Sequence, residues 1–96
     1  EPPNLVLHSP TNGLVTGDRA LVVQGQTDKE VSISINGTPV PHSREGQFSE
    51  EIDLAPGINT ITVTAKRKHG KTTEEVRHVI LKSNQQISLG GINKIP

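Results

Sequence analysis

"VSISINGTPVPHS", Val31 to Ser43, is the stretch that decides the fold class. It begins with apolar residues that alternate with polar ones, the pattern of a strand with one face buried and the other in water. Asn36-Gly37 interrupts this pattern and predicts a type I′ hairpin turn, because both residues tolerate positive φ. Pro39 and Pro41 follow, and neither can donate a ladder hydrogen bond. The returning strand should therefore lie at the edge of a sheet or at a bulge.

The same alternation recurs on both sides of this hairpin, between turn signals rich in Gly, Pro, Asn and Asp. No segment has the apolar period of an amphipathic helix. Further strands are expected at Leu5 to His8, at Leu14-Val15, at Arg19 to Gly25, within Arg44 to Leu54, at Thr60 to Lys68 and at Thr72 to Lys82. This spacing predicts an all-β fold, an immunoglobulin-like β-sandwich of about seven antiparallel strands.

Two of these strands raise a question of register. In the strand within Arg44 to Leu54, Phe48 and Leu54 should face the core, and Glu50 falls in the same register. A carboxylate there requires an edge position or a partner. In the last strand, Val79 and Leu81 compete for the inward face with the alternate set Val76, His78 and Ile80.

Composition narrows the function classes. The 96 residues fit one domain, and the core must be built from Val, Ile, Leu and Ala, because Phe48 is the only aromatic residue. Without cysteine there is no disulfide, thiolate nucleophile or sulfur-based zinc site. The net charge of zero argues against nucleic acid as a partner. The apolar runs are too short for direct membrane insertion.

Domain boundaries follow from local composition. Residues 1–4, "EPPN", are expected to be a linker, because consecutive prolines favour an extended conformation. Residues 5–82 contain all the predicted strands and form the immunoglobulin-like domain. Residues 83–96, "SNQQISLGGINKIP", have a Gly-Gly pair and sparse apolar residues, which is typical of a tail or linker.

Several segments in order, "SPTNGLVT", "LVVQGQT", "VSISINGTPV", "EGQFSEEIDLAPGINTITVTA" and "KHGKTT", carry a family resemblance. Across about Asn4 to Lys82, the chain resembles the bacterial immunoglobulin-like domains related to the glucodextranase B domain. The resemblance implies a β-sandwich in an extracellular or cell-surface protein. Asn59, after "APG", is placed to bridge backbone groups of that turn through its amide. "KRKHG" stands where the family often has an acidic residue, so no metal is expected at that loop.

No constellation of residues points to catalysis. The four histidines, His8, His42, His69 and His78, lie on different segments without a metal-binding spacing. Glu50 and Glu51 are neighbours on a strand and point to opposite faces, so they cannot converge on one substrate. Asp28 with Glu30 provides too few oxygens for calcium. The chain is therefore predicted to be no enzyme and to need no cofactor or metal.

The sequence "KRKHGK" concentrates positive charge at one hairpin. It could bind a phosphate, a sulfated glycan or an acidic partner. The segment has no aromatic residue to stack on a base or a sugar ring, and the alternative is a solvated loop. The residues of this possible partner-binding loop are Lys66, Arg67, Lys68, His69 and Lys71.

These observations favour a non-catalytic extracellular module that acts as a spacer or protein-interaction scaffold of a larger surface or secreted protein. Its partners would be neighbouring domains, another surface protein or a polysaccharide, and the isolated domain should be a monomer. The alternative is an accessory polysaccharide-binding module of a secreted hydrolase. In either case the turn at Asn36 and Gly37 should fix the hairpin register, and Pro39 and Pro41 should protect the sheet edge.

Overall fold

The computed structural model describes residues 1–83, which form eight strands and no helix. The strands are β1 (Leu5–Ser9), β2 (Leu14–Thr16), β3 (Ala20–Thr27), β4 (Val31–Ile35), β5 (Thr38–Val40), β6 (Gln47–Asp53), β7 (Gly57–Arg67) and β8 (Thr72–Leu81). No helix among these residues could span a membrane.

The strands form two sheets, one of three strands in the order β1-β3-β6 and one of five in the order β2-β8-β7-β4-β5. The predicted immunoglobulin-like β-sandwich is confirmed. It has eight strands where about seven were expected, and β2 pairs with β8 in parallel, whereas every other pairing is antiparallel. A three-residue segment such as β2 has too little pattern to show which strand it will join or in which direction.

The core lies between the two sheets and takes apolar side chains from the inner face of each. Phe48 is only 5% exposed and packs in this core among the aliphatic side chains. The buried set is Leu5, Leu21, Val23, Val31, Ile33, Ile35, Val40, Phe48, Leu54, Ile61, Val63, Ala65, Val79 and Leu81. The inward positions of β3, β4 and β7 are those that the alternation predicts.

The register of β8 is settled in favour of Val79 and Leu81, which are buried, whereas Val76 is 41% exposed. The first half of the inward face of β8 is polar, and it is covered by chain segments that supply backbone acceptors. Thr73 Oγ1 donates to the carbonyl of Pro3 at 2.6 Å, and Arg77 Nε donates to the carbonyl of Pro10 at 3.2 Å. Because these inward positions are polar, alternation alone did not show which face of β8 points into the core.

Residues 1–4, predicted to be a linker, lie against the sandwich. Pro3 is buried, and the Thr27 hydroxyl donates to the carbonyl of Asn4 at 2.6 Å. The backbone N–H of Asn4 donates to Asp28 Oδ2 at 3.0 Å. The division into linker, domain and tail stays a prediction, and the predicted tail lies outside the described residues from residue 84 onward.

The chain runs into and out of the sandwich at opposite ends. The N-terminal end holds the start of β1, which pairs with Thr27, and the hairpin between β7 and β8. The C-terminal end holds the close of β8, where Leu81 pairs with Gly57 on one side and Thr16 on the other. We call them the N-terminal end and the C-terminal end of the sandwich.

Candidate functional site

The basic hairpin predicted from the sequence lies at the N-terminal end. The Arg67 N–H donates to the carbonyl of Lys71 at 3.0 Å, and the Gly70 N–H donates to that of Arg67 at 3.2 Å. Gly70 has φ of 124°, a conformation that glycine adopts without strain. This tight turn leaves the other side chains of the predicted loop exposed, namely Lys66, Lys68, His69 and Lys71.

Arg67 has a different role from the rest of the predicted loop. Its guanidinium Nη2 lies 2.9 Å from Asp28 Oδ2, and its Nε donates to the carbonyl of Glu1 at 3.1 Å. The backbone N–H of Asn4 holds the pKa of Asp28 below its usual range, with further help from the Asn4 side chain and Arg67. Arg67 therefore ties the end of β7 to the N-terminal segment. Nothing in the sequence pattern indicates that Asp28 would pair with Arg67.

A shallow groove of about 390 Å³ opens beside this hairpin. Lys68 also borders a second groove, which contains His42. Carboxylates line the first groove together with the cations, so its charge is mixed. The lining residues of the first groove are Glu1, Lys29, Glu30, Arg67, Lys68, His69 and Lys71.

The acidic turn beside this groove does not assemble a metal site. Both oxygens of Asp28 accept hydrogen bonds, Oδ1 from the Asn4 amide at 3.3 Å and Oδ2 from the Asn4 backbone and Arg67. Glu30 sits at φ of 59° in the turn. Within residues 1–83, no three His, Asp or Glu side chains are grouped closely enough to hold a metal ion.

The hairpin of β4 and β5 has the predicted turn backbone, with φ of 48° at Asn36 and 84° at Gly37. The structure adds a role that turn preference alone does not reveal. Asn36 Oδ1 accepts a hydrogen bond from the Thr62 N–H at 2.8 Å, while the Asn36 N–H donates to the Thr62 carbonyl at 2.9 Å. The turn is thereby fastened to β7 as well as closing β4 onto β5.

Pro39 and Pro41 lie where an edge strand would otherwise expose donors. The backbone N–H of Asn36 bonds to β7, and backbone groups alternate in direction along an antiparallel strand. The N–H and C=O of Ile35 therefore point toward β5. The backbone groups of its partner Thr38 then point toward β4, and an N–H at position 39 or 41 would point to the open edge. Both outward positions are proline and carry no N–H. This geometry supports edge protection, which stays a prediction.

β6 is the edge strand of the three-stranded sheet, and it lies across the sandwich from the β4–β5 hairpin. Glu50 lies on its inward face and is half-buried, as its register required. A cleft of about 250 Å³ separates β6 from the β4–β5 hairpin. Its lining combines three apolar residues with two acidic ones. The lining residues are Ile35, Asn36, Thr38, Val40, Glu50, Ile52 and Asp53.

Comparison with known proteins agrees with this architecture. The family model described as Glucodextranase, domain B, matches residues 3–83, and comparison with curated proteins gives no match. Eight chains of solved structures match. One comes from "Structures of Clostridium thermocellum CbhA fibronectin(III)-like modules", with a TM-score of 0.62 and 18% identity. That alignment covers 88% of this chain and 48% of the other, so this chain spans about half of that structure.

Proposed function

We propose that this chain, which belongs to the glucodextranase domain B family, is a non-catalytic module. It holds neighbouring parts of a larger protein at a fixed separation. The family is named for one domain of an enzyme, and the matching solved structure is described as fibronectin(III)-like modules. Both likenesses support an accessory domain. The family resemblance also supports an extracellular or cell-surface location.

The observation that carries this proposal is that the described chain enters and leaves the sandwich at opposite ends of β8. Pro3 is bound by Thr73 near the start of β8, and Lys82 follows its last residue and donates to the carbonyl of Thr16 at 2.8 Å. A strand rises about 3.3 Å per residue, so these points lie roughly 30 Å apart on opposite ends of the sandwich. Neighbouring domains joined at these points would be held apart by the length of β8.

Spin labels can test whether the module fixes this separation. The chain has no cysteine, so Pro2→Cys with Lys82→Cys would provide two unique attachment points on exposed residues. Pulsed dipolar spectroscopy should give one narrow distance distribution centred at roughly 30 Å, plus the length of the label arms. A broad distribution in a chain that is folded by circular dichroism would contradict the spacer role.

A second candidate function, polysaccharide binding, rests on the groove beside the basic hairpin. Lys68, His69 and Lys71 line it, and exposed cations of this kind attract sulfate and carboxylate groups. The only aromatic side chain, Phe48, is buried in the core, so no ring is available to stack on a sugar. A polysaccharide bound here would have to be held by charge and hydrogen bonds.

Titration followed by two-dimensional NMR separates the two candidates. Acidic and neutral polysaccharide fragments, and calcium, would each be added to the labelled chain. Signals from Lys66 to Lys71 that move together with an acidic fragment would favour binding, and Lys68→Gln should weaken that response. Signals that stay unchanged in the folded chain would favour the spacer.

A further inference from the structure

The outer edge of β6 has unpaired backbone groups, and the hydrogen bonds at the two ends of the β3–β6 ladder show which residues supply them. The Leu54 N–H donates to the carbonyl of Arg19 at 2.8 Å, and the Thr27 N–H donates to that of Gly46 at 2.8 Å. Antiparallel ladders alternate, so the even-numbered residues of β6 bond to β3 and the odd-numbered residues face outward. The outward residues are Gln47, Ser49, Glu51 and Asp53.

Gln47 is already satisfied, because its N–H donates to Ser43 Oγ at 3.0 Å and its carbonyl accepts from the Ser43 N–H at 2.8 Å. Ser49, Glu51 and Asp53 have no such partner in the described part of the chain. Three consecutive outward N–H and C=O pairs are therefore open to water. An extended peptide could bond to them as an added strand.

The other three sheet edges in residues 1–83 are less accessible to an added strand. β5 and β2 have three residues each, the one outward position of β5 is Pro39, and Pro41 directly follows the strand. β1 has an irregular register between Leu7 and Ser9. β6 is the longest edge strand, with seven residues and no proline. It is therefore the edge at which strand addition meets the least obstruction.

The side chains of β6 define the chemistry of the strand that fits. On the outer face, an added strand would place residues directly opposite Glu51 and Asp53, where cross-strand pairing favours lysine or arginine. On the inner face it would pass the Glu50 side chain, which is half-buried at the cleft and makes no hydrogen bond or ion pair within residues 1–83. A donor on the added strand would satisfy that carboxylate.

We propose that the outer edge of β6 binds an extended basic peptide segment of a partner protein by strand addition, with its lysine or arginine side chains opposite Glu51 and Asp53. This role goes beyond the spacer function and does not rest on it. A second copy of this chain is a poor occupant, because antiparallel pairing of two β6 strands centred on Glu51 would place Glu51 opposite Glu51. The same carboxylates thus oppose self-association and select a basic strand.

The test uses the acetylated and amidated peptide TKTKTKT, whose lysines would lie on one face and threonine hydroxyls on the other. Hydrogen exchange of the full chain would be followed by NMR with and without this peptide. The amides of Ser49, Glu51 and Asp53 should become protected, whereas those of Lys66 to Lys71 should not. The peptide TETETET should have no effect, because its carboxylates would meet Glu51 and Asp53.

Two variants connect this protection to the edge itself. Ser49→Pro removes one outward N–H and leaves the β3 ladder intact, so binding should weaken about tenfold, as expected for loss of about 1.4 kcal/mol. Ser49→Thr keeps the N–H and is the matched control. Amide signals of Val23 and Val63 would report whether each variant is folded.

Charge reversal supplies a variant that does not depend on proline. Glu51→Lys with Asp53→Lys should exchange the preference, so that TETETET protects the β6 amides and TKTKTKT does not. The proposal would be overturned by a folded wild-type chain whose β6 amides stay unprotected with TKTKTKT. It would equally be overturned by a reversed variant that still prefers TKTKTKT, or by equal binding to the Ser49→Pro and Ser49→Thr chains.

Discussion

Three asparagines accept hydrogen bonds from backbone amides at the places where strand ladders stop. Asn12 Oδ1 accepts from the His78 N–H at 2.6 Å, Asn36 Oδ1 from the Thr62 N–H at 2.8 Å and Asn59 Oδ1 from the Ala55 N–H at 2.8 Å. Asn59 also donates to the carbonyl of Ala55 at 2.8 Å, which is the turn bridge expected from the family resemblance. A side-chain amide can replace a missing strand partner because it both donates and accepts.

Asp28 makes stability depend on pH in a defined direction. Its pKa is lowered in the folded state, chiefly by the Asn4 N–H, so its stabilisation is present above the ordinary carboxyl pKa of about 4 and is lost as pH falls through the lowered value. Asp28→Asn should therefore reduce the loss of unfolding free energy between pH 7 and pH 3, measured by urea titration.

Asp18→Asn is the control for this comparison, because the Asp18 side chain is exposed and makes no ion pair within the described residues. It should leave the pH dependence close to that of the wild type. Equal pH dependence in the Asp28→Asn and wild-type chains would contradict the assignment.

Gly46 and Gly57 separate two reasons for glycine in a turn. Both have positive φ, 94° and 89°, but a Cβ on Gly46 would overlap the carbonyl oxygen of Thr27, whereas nothing lies within 4 Å of one on Gly57. Gly57→Ala should lower the unfolding free energy by about 1–2 kcal/mol through backbone strain. Gly46→Ala should lower it by a further 1–3 kcal/mol or so through the steric overlap. Urea unfolding would measure both, and equal losses would show that the overlap relaxes without cost.

At the scale of the strands, the two edges on one side of the sandwich differ in kind. β5 is short, with Pro39 at its outward position and Pro41 just after it, whereas β6 is longer and has backbone groups exposed beside acidic side chains. An outward proline weakens the binding of every added strand, whatever its charge, because one backbone donor is missing. Carboxylates block only partners of like charge. The two edges therefore differ in how selective they are.

Replacing Pro39 and Pro41 with threonine should raise self-association of the chain. The change restores outward N–H groups at position 39 of β5 and at position 41 just after it, and it introduces a residue that favours strands. Sedimentation velocity over a range of concentrations would measure the effect, with Ser43→Thr as a control in the following loop. A double variant that sediments as the wild type does at every concentration would contradict edge protection by these prolines.

Strands with clean alternation could be predicted from the sequence, and β4 and β7 have the inward residues expected of them. β2 and β5 are too short to show a period, and the inward half of β8 is polar where Pro3 and Pro10 cover it. Periodicity reports burial by a facing sheet. It carries no information where a strand is covered by backbone of an irregular segment.

At the scale of the whole molecule, the order of strands in the sheets decides which residues meet. The sequence identifies the basic hairpin because its charges are consecutive, but the Arg67 partner lies 39 positions away along the chain. The open edge of β6 could not be predicted either, because edge positions follow from sheet order. Local clusters can thus be read from a sequence, whereas sites built by topology require the fold.

The attachment of the chain at opposite ends of the sandwich has a mechanical consequence. A pull between Pro2 and Lys82 acts along the strands and loads the β7–β8 ladder in shear, so its hydrogen bonds must yield together. A pull between Ala55 and Lys82, both at the C-terminal end, would peel β8 from β7 one pair at a time. Single-molecule stretching through cysteines at these pairs should give a higher rupture force for the first. A module built this way would transmit tension between its neighbours without coming apart, and equal forces in the two geometries would rule that out.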